Sequence, residues 1–468
     1  MTGNSLSISD EAFLRDLARS VEQADPWQVL ASQLPVLVIA FVTTLILTPV
    51  LRRVAIAFDI VDHPSESRKI HTRSTPYLGG MAVFIGLLIA LLSSYPLADQ
   101  LPIGYRVVPH WVVIGLVLIT LTGLLDDVTE CDSWIKVAGQ LIAAAGLASS
   151  NVGTKVAAGL LNWLGIGQIP LAPIPGLDVH LDVTNVIGAL IIAIFVLGGC
   201  NATNLIDGLD GLLSGVVAVM ATAFLVLSLV MLTFISPEQI ELLIDGMSSP
   251  DDAFQNGITL AGARVVLSLA LLGAVLGFLP HNFNPATIFL GDCGSLLLGY
   301  ASVVIILMLG ETGQTHLVLA GLIIFSIPII DTVLAIVRRR IQGQPMWDPD
   351  AHHMHHVFKR GLGSVKSAVL AIYGMAMCFG VLGVLLGWLS LSGSVDRKWI
   401  YIAFIAIFAV VGFIGVRMGL AQRSNRASGA SGSPREGAYT STKTTFRINV
   451  TKPLTSSIKC MEIYVTTH

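Results

Sequence analysis

Eleven apolar stretches recur between Leu34 and Leu420, at roughly 34–53, 79–95, 110–125, 134–149, 184–200, 211–235, 260–280, 294–309, 316–337, 366–391 and 399–420. A helix of about 20 residues reaches across the hydrocarbon core of a bilayer. Within that core the backbone has no water to bond, so such segments are held to helix. Only 12% of the residues are charged against 54% hydrophobic, and the mean hydropathy is +0.77. Soluble domains average about 25% charged residues, so an ordinary soluble domain is excluded. The sequence predicts an all-α polytopic membrane protein with about 11 transmembrane helices. The fourth stretch, short and rich in Ala and Gly, is the weakest.

Sidedness follows from the loops. Lys and Arg crowd the first connection (Arg52, Arg53, Arg68, Lys69, Arg73) and the ninth (Arg338, Arg339, Arg340, Lys359, Arg360). The alternate loops are nearly bare, with Arg106 in one and Lys155 in another. The positive-inside rule then makes the odd loops cytoplasmic, with the N-terminus outside and the C-terminus inside. Three regions are expected: an external leader over 1–33, a transmembrane domain over 34–420 and a tail over 421–468. Phe13, Leu14, Leu17 and Val21 give the leader helical spacing, and a surface helix within 5–30 is one reading of it. The acidic start (Asp10, Glu11, Asp16) lacks the basic region of a signal peptide, so the first apolar run reads as a retained span. The loop from Gly153 to Asp182 suggests an external hairpin or re-entrant piece. Ser, Gly and Thr dominate the tail, which reads as disordered and cytoplasmic.

A net charge of −3 without a basic groove gives no sign of nucleic acid as a partner. The five cysteines form no CxxC pair, so neither a disulfide framework nor a zinc ribbon is indicated.

Five polar clusters interrupt the apolar pattern, all on the predicted cytoplasmic face. Polar groups at membrane helix ends are costly unless used. Arg68-Lys69-Ile70-His71, with Arg73 and then Gly79-Gly80, reads either as a positive-inside anchor or as a phosphate site whose glycines allow close backbone approach at a helix N-terminus. Asp126-Asp127 closes the third stretch, at the end of a helix dipole that disfavours anions, and so calls for a cation. Asn201 to Asp210 offers Asn204, Asp207 and Asp210 at three-residue spacing, hard oxygen donors suited to Mg²⁺ or Mn²⁺. Asp292 opens the eighth stretch as either a helix cap or a metal ligand. Asp331, seven residues before Arg338, reads as half of a structural ion pair. His352, His353, His355 and His356 lie beyond it, better suited to phosphate than to zinc because no Cys or HExxH accompanies them.

In this order the strings resemble the polyprenyl-phosphate N-acetylhexosamine-1-phosphate transferase family, over about residues 34–420. The most specific are Asn204-Leu-Ile-Asp207-Gly-Leu-Asp210-Gly, Phe289-Leu-Gly-Asp292-Cys-Gly-Ser and Asp350-Ala-His-His353-Met-His355-His356. The last is similar to the HxHH string of the branch that uses UDP-GlcNAc. Pentapeptide-transferring relatives carry three consecutive histidines, and Met354 breaks that run here. The resemblance implies transfer of GlcNAc-1-phosphate from UDP-GlcNAc to undecaprenyl phosphate with release of UMP, as the first step of an envelope polysaccharide. It also implies Mg²⁺ or Mn²⁺ as cofactor, the bilayer of a bacterial inner membrane as the setting and a homodimer as an option. Catalytic roles would fall to Asp126, Asp127, Asp207 and Asp210, and metal binding to Asp292, Asp127 and Asp207. Substrate contacts would come from Lys69, His71, Arg73, Asn204, His353, His355 and His356, with Asn282 and Phe289 at uridine. Against a secondary transporter stand the absence of internal repeats and the placing of the clusters at helix ends, not at the midplane.

Overall fold

The computed structural model describes residues 19–62, 75–97, 105, 107–129, 131–163, 183–235, 259–311, 313–343 and 353–429. Met1–Ala421 and Gln422–His468 separate as two units, and every element bearing on function lies in the first. In chain order the helices are α1 (Pro26–Ala57), α2 (Gly79–Ser94), α3 (His110–Thr129), α4 (Ser133–Ser149), α5 (Thr154–Trp163), α6 (Val183–Ile206) and α7 (Leu212–Thr233). They continue as α8 (Ala261–Asn282), α9 (Gly291–Met308), α10 (Thr315–Ile324), α11 (Ser326–Gln342), α12 (Met354–Leu362), α13 (Val365–Leu391) and α14 (Lys398–Gly429). A two-residue ladder, β1 (Val61–Asp62) antiparallel to β2 (Thr75–Pro76), joins α1 to α2.

Each of the eleven apolar stretches is helical. Among the described residues eight helices are long and apolar enough to cross a membrane, or nine if α10 and α11 form one bent span. The two meet at 78°. Pro328, in the first turn of α11, has no N–H to give and its ring crowds the carbonyl four residues back, which favours a break just before it. At 16 and 17 residues, α2 and α4 are shorter. Two helices were not expected. One, α5, fills the start of the loop expected to form a hairpin or re-entrant piece, whose remainder (164–182) lies outside the described residues; the other is α12. Of the surface helix expected within 5–30, residues 19–22 are helical and Pro26 opens α1. The tail from 430 onward lies outside the described residues.

Local signals set the ends. Asp25 accepts from Trp27 N at 3.1 Å, with Pro26 opening α1, a favourable start because the first N–H groups lack helical partners. Ser364 Oγ accepts from Ser367 N at 3.0 Å to cap α13. Packing then sorts the helices. The apolar windows of α8 and α9 are each 89% buried, against 22%, 28% and 17% for α1, α13 and α14. The first two are the inner pair, and the others present a face to lipid. On α1, Val38, Val42, Ile46 and Val50 are exposed at every fourth residue, whereas Val36, Ala40, Thr44 and Thr48 are buried. At one end of the inner pair Arg264 and Glu311 form a buried ion pair at 3.0 Å. The other end holds the polar clusters.

Close helix approach positions that end. A side chain on Gly80 would run into the backbone of Gly294, and Gly80 N donates to Leu290 O at 2.8 Å. Gly80→Ala is therefore expected to destabilise by about 1–3 kcal/mol through overpacking. Gly374→Ala, where nothing stands within 4 Å of the added atom, should be neutral. Melting of the two variants in detergent checks this, and equal melting would remove the close approach as a constraint.

Candidate active site

Four helix ends and two links converge here. Asp127, at the C-terminal end of α3, turns both carboxylate oxygens onto the start of α9. Its Oδ1 accepts from Asp292 N at 2.8 Å and its Oδ2 from Cys293 N at 2.9 Å. The anion disfavoured by its own helix dipole is thus stabilised by the opposite end of another. Asp126 finds a different cation, Lys136 Nζ of α4 at 2.6 Å. The same ammonium lies 2.6 Å from Asp292 Oδ2. Asp292 Oδ1 accepts from Asn204 Nδ2 of α6 at 2.7 Å, and that amide also donates to Ser295 Oγ at 3.0 Å. Lys136 is the hub of the arrangement, and the sequence reading passed over it. The signal was present: a lone lysine in an otherwise apolar stretch is expensive and functional by default.

The string from Asn201 to Asp210 is part helix and part turn. α6 runs to Ile206, so Asn204 is held on a rigid helix and Asp207 stands just past its end. Gly211 at φ +76° then starts α7, a backbone conformation that favours glycine. Burial raises the Asp207 carboxyl to about 8, with the charges of Asp292, Asp127 and Asp210 adding to the effect. Two carboxylates, Asp126 and Asp292, share one ammonium, which leaves the site short of positive charge.

The geometry gives several of the expected site residues partners within the protein. Asp127, expected as base and metal ligand, is engaged through both oxygens as the cap of α9. Asp210, expected to be catalytic, accepts through Oδ2 from Asn284 Nδ2 at 2.8 Å and Ala286 N at 3.0 Å, fixing the loop before α9. Asn282, assigned to uridine, is buried, and its Oδ1 accepts from Gly211 N at 3.1 Å and Ser214 Oγ at 2.8 Å. Its Nδ2 donates to Ile288 O at 3.1 Å. The Gly79-Gly80 amides are not open to a phosphate, because they donate to Phe289 O at 3.0 Å and Leu290 O at 2.8 Å. Phe289 is half-buried, its ring 6.1 Å from that of Tyr77. Lys69, His71, Arg73 and His352 lie outside the described residues.

The histidines form a row at the start of α12. His353 Nδ1 lies 3.0 Å from Asp331 Oδ2, its ring is parallel to that of His355 at 5.6 Å, and His355 meets His356 at 4.3 Å. His355 is buried and packs on Gly208, where a side chain would strike its Nε2. Burial, helped by the neighbouring His356 charge, pulls His355 down to about 4, and burial lowers His356 as well. The row thus abuts the Asp207 turn. Asp331, assigned to an ion pair with Arg338, turns its carboxylate to the histidine segment.

Two hollows flank this centre. A hollow of about 310 Å³ is lined by His356, Lys359, Arg360 and Gly363, a cationic surface fit for a phosphate-bearing ligand. The other, about 190 Å³, is an apolar groove lined by Ile194, Phe195, Gly198 and Ala202 of α6 with Phe325 and with Ile329 and Val333 of α11. It reaches Ala202, within a turn of Asn204.

Among the described residues no three Asp, Glu, His or Cys side chains stand together as a ready metal cage. The donor set nonetheless fits a hard cation. The carboxylates outnumber the lysine, and Mg²⁺ commonly takes one or two carboxylates and completes its shell with water and substrate phosphate oxygens. Asp292 and Asp126, whose carboxylates meet at Lys136, would supply its protein oxygens.

Comparisons with known proteins agree with this architecture. The profile of glycosyl transferase family 4 matches residues 110–310. A probable undecaprenyl-phosphate N-acetylglucosaminyl 1-phosphate transferase of Bacillus subtilis is 29% identical, over 80% of this chain and 90% of its own. The decaprenyl-phosphate N-acetylglucosaminephosphotransferase of Mycolicibacterium smegmatis is 33% identical, over 71% of this chain and 77% of its own. A phospho-N-acetylmuramoyl-pentapeptide-transferase of Moorella thermoacetica is 28% identical, over 75% and 97%. On this likeness the chain belongs to glycosyl transferase family 4, among its polyprenyl-phosphate N-acetylhexosamine-1-phosphate transferases.

Proposed function

We propose that this multi-pass membrane enzyme transfers N-acetylglucosamine-1-phosphate from UDP-GlcNAc to undecaprenyl phosphate, giving undecaprenyl-diphospho-GlcNAc and UMP. The observation that carries the reading is the carboxylate–lysine junction itself, with an apolar groove that reaches Ala202, two residues before Asn204, and a cationic hollow at His356 of the histidine row. One substrate has a long isoprenoid tail and the other is a water-soluble diphosphate, and these two surfaces match them. Relatives named undecaprenyl-phosphate N-acetylglucosaminyl 1-phosphate transferases support the acceptor and the transferred group.

In the reaction a lipid phosphate oxygen forms a bond to the sugar-linked phosphorus of the donor, and the bond from that phosphorus to UMP breaks. An anionic nucleophile needs little chemical activation, so catalysis is chiefly positioning and charge neutralisation. Lys136 and Asn204 hold Asp292 in place. Lys359 and Arg360 offset the donor's charge, and the histidine row offers it hydrogen bonds. Mg²⁺ or Mn²⁺, when bound, supplies further neutralisation between the two phosphates. The arginines Arg52 and Arg53 at the end of α1 and Arg338 to Arg340 at the end of α11 support a site on the cytoplasmic face of a bacterial inner membrane.

Purified protein given UDP-GlcNAc, undecaprenyl phosphate and Mg²⁺ is expected to release UMP, and chelation should stop it. In competition with UDP-MurNAc-pentapeptide, UDP-GlcNAc should be consumed first, since Met354 interrupts the histidine run. Preferential use of the pentapeptide donor would move the chain to the other branch. UMP release that is indifferent to chelator would remove the metal.

A further inference from the structure

We propose that Asp331 is a positioning residue for the transfer, acting through His353 to set the histidine row against the donor site. The proposal rests on the functional reading above. Asp331 is fully buried, and a buried carboxylate requires partners. Both of its oxygens are directed at the histidine segment. Oδ1 accepts from Met354 N at 2.6 Å and so caps α12, while Oδ2 lies 3.0 Å from His353 Nδ1. With Nδ1 tied to the carboxylate, the tautomer and orientation of the ring are set, and Nε2 is the nitrogen left for a ligand.

The consequence travels along the row. His353 lies flat against His355, whose Nε2 edge rests on Gly208 next to Asp207. His356 continues into the hollow shared with Lys359 and Arg360. One buried carboxylate therefore fixes the register between the histidine row and the carboxylate centre. α11 is a suitable base for it, because the turn that carries Asp331 also packs inward through Ile327 and Ile330.

The substitution Asp331→Asn separates the two contacts. Its amide oxygen can still accept from Met354 N, but its NH₂ cannot accept from His353 Nδ1–H. In the full chain in phospholipid nanodiscs, Asp331→Asn is expected to raise KM for UDP-GlcNAc about tenfold or more, the loss of one charge-assisted hydrogen bond. KM for undecaprenyl phosphate should stay within about twofold. The discriminating measurement is a double-mutant cycle, because residues acting through one another are not additive. In a His353→Ala background, Asp331→Asn should change donor KM and calorimetric UDP affinity by less than about twofold. An equal penalty in both backgrounds, or a matching rise in lipid KM, would overturn the proposal. So would an Asp331→Asn chain that fails to insert while His353→Ala inserts and melts normally, since Asp331 would then be a folding residue. Wild-type UMP release is the separate control on the activity. Its absence, with the cycle preserved in UDP binding, would fault the reaction and leave Asp331 standing.

Discussion

Asp292→Ala is expected to lower turnover by about a thousandfold, or ~4 kcal/mol of transition-state stabilisation, without unfolding the protein. Asp292 is where the other groups meet. Its carboxylate receives Lys136 on one oxygen and Asn204 on the other, at the first turn of the inner helix α9. Removing it frees Lys136 from one partner and leaves Asn204 on Ser295 alone. It also withdraws a carboxylate that would serve a divalent cation, were one bound. The fold should survive because the cap of α9 uses the backbone N–H of residue 292 and not its side chain. Single-turnover UMP release at saturating Mg²⁺, beside a detergent melting curve, separates the effects. A variant that keeps half of wild-type turnover would show that Asp292 is not the junction.

Lys136→Met should cost nearly as much, about a hundredfold to a thousandfold in turnover. Asp126 and Asp292 would then face one another without the ammonium that bridges them, and like charges at such range repel strongly in a site of reduced dielectric. Partial solvent access tempers the effect on stability, since the three side chains retain 23%, 15% and 27% exposure, and surface pairs contribute little to folding. The loss should therefore appear in turnover more than in melting. Lys136→Arg ought to recover only part of it. A planar guanidinium does not replace a compact ammonium held between two carboxylates. Full activity in Lys136→Met would mean that the bridge is incidental.

The sequence made the helices legible because lipid leaves a long apolar stretch no other structure. It was less informative about how they break. The turn at Phe325 and the helix α12 depend on Pro328 and on the Asp331 cap, short-range devices that hydropathy averages away. The site divides in the same manner. Asp126, Asp127, Asn204, Asp207 and Asp292 were legible as a group because acidic clusters at the ends of apolar helices are costly to keep. What each one touches was not. Sequence adjacency made Asp126 and Asp127 look like one unit, yet they point to different helices, one to Lys136 and the other to the start of α9. The polarity of Asn282 and Asp210 was visible, but their partners, Gly211, Ser214 and Ala286, were not, being far away in sequence.

The bent segment α10–α11 carries a pharmacological consequence. One side of α11 lines the apolar groove through Ile329, Thr332 and Val333, and Asp331, between them, grips the histidine segment. A hydrophobic compound that partitions into the bilayer and wedges into the groove would press on the helix from which the histidine segment hangs. Such a compound should act as a mixed inhibitor toward UDP-GlcNAc while never entering water, and resistance to it should arise at α6 and α11 and not at the cationic hollow.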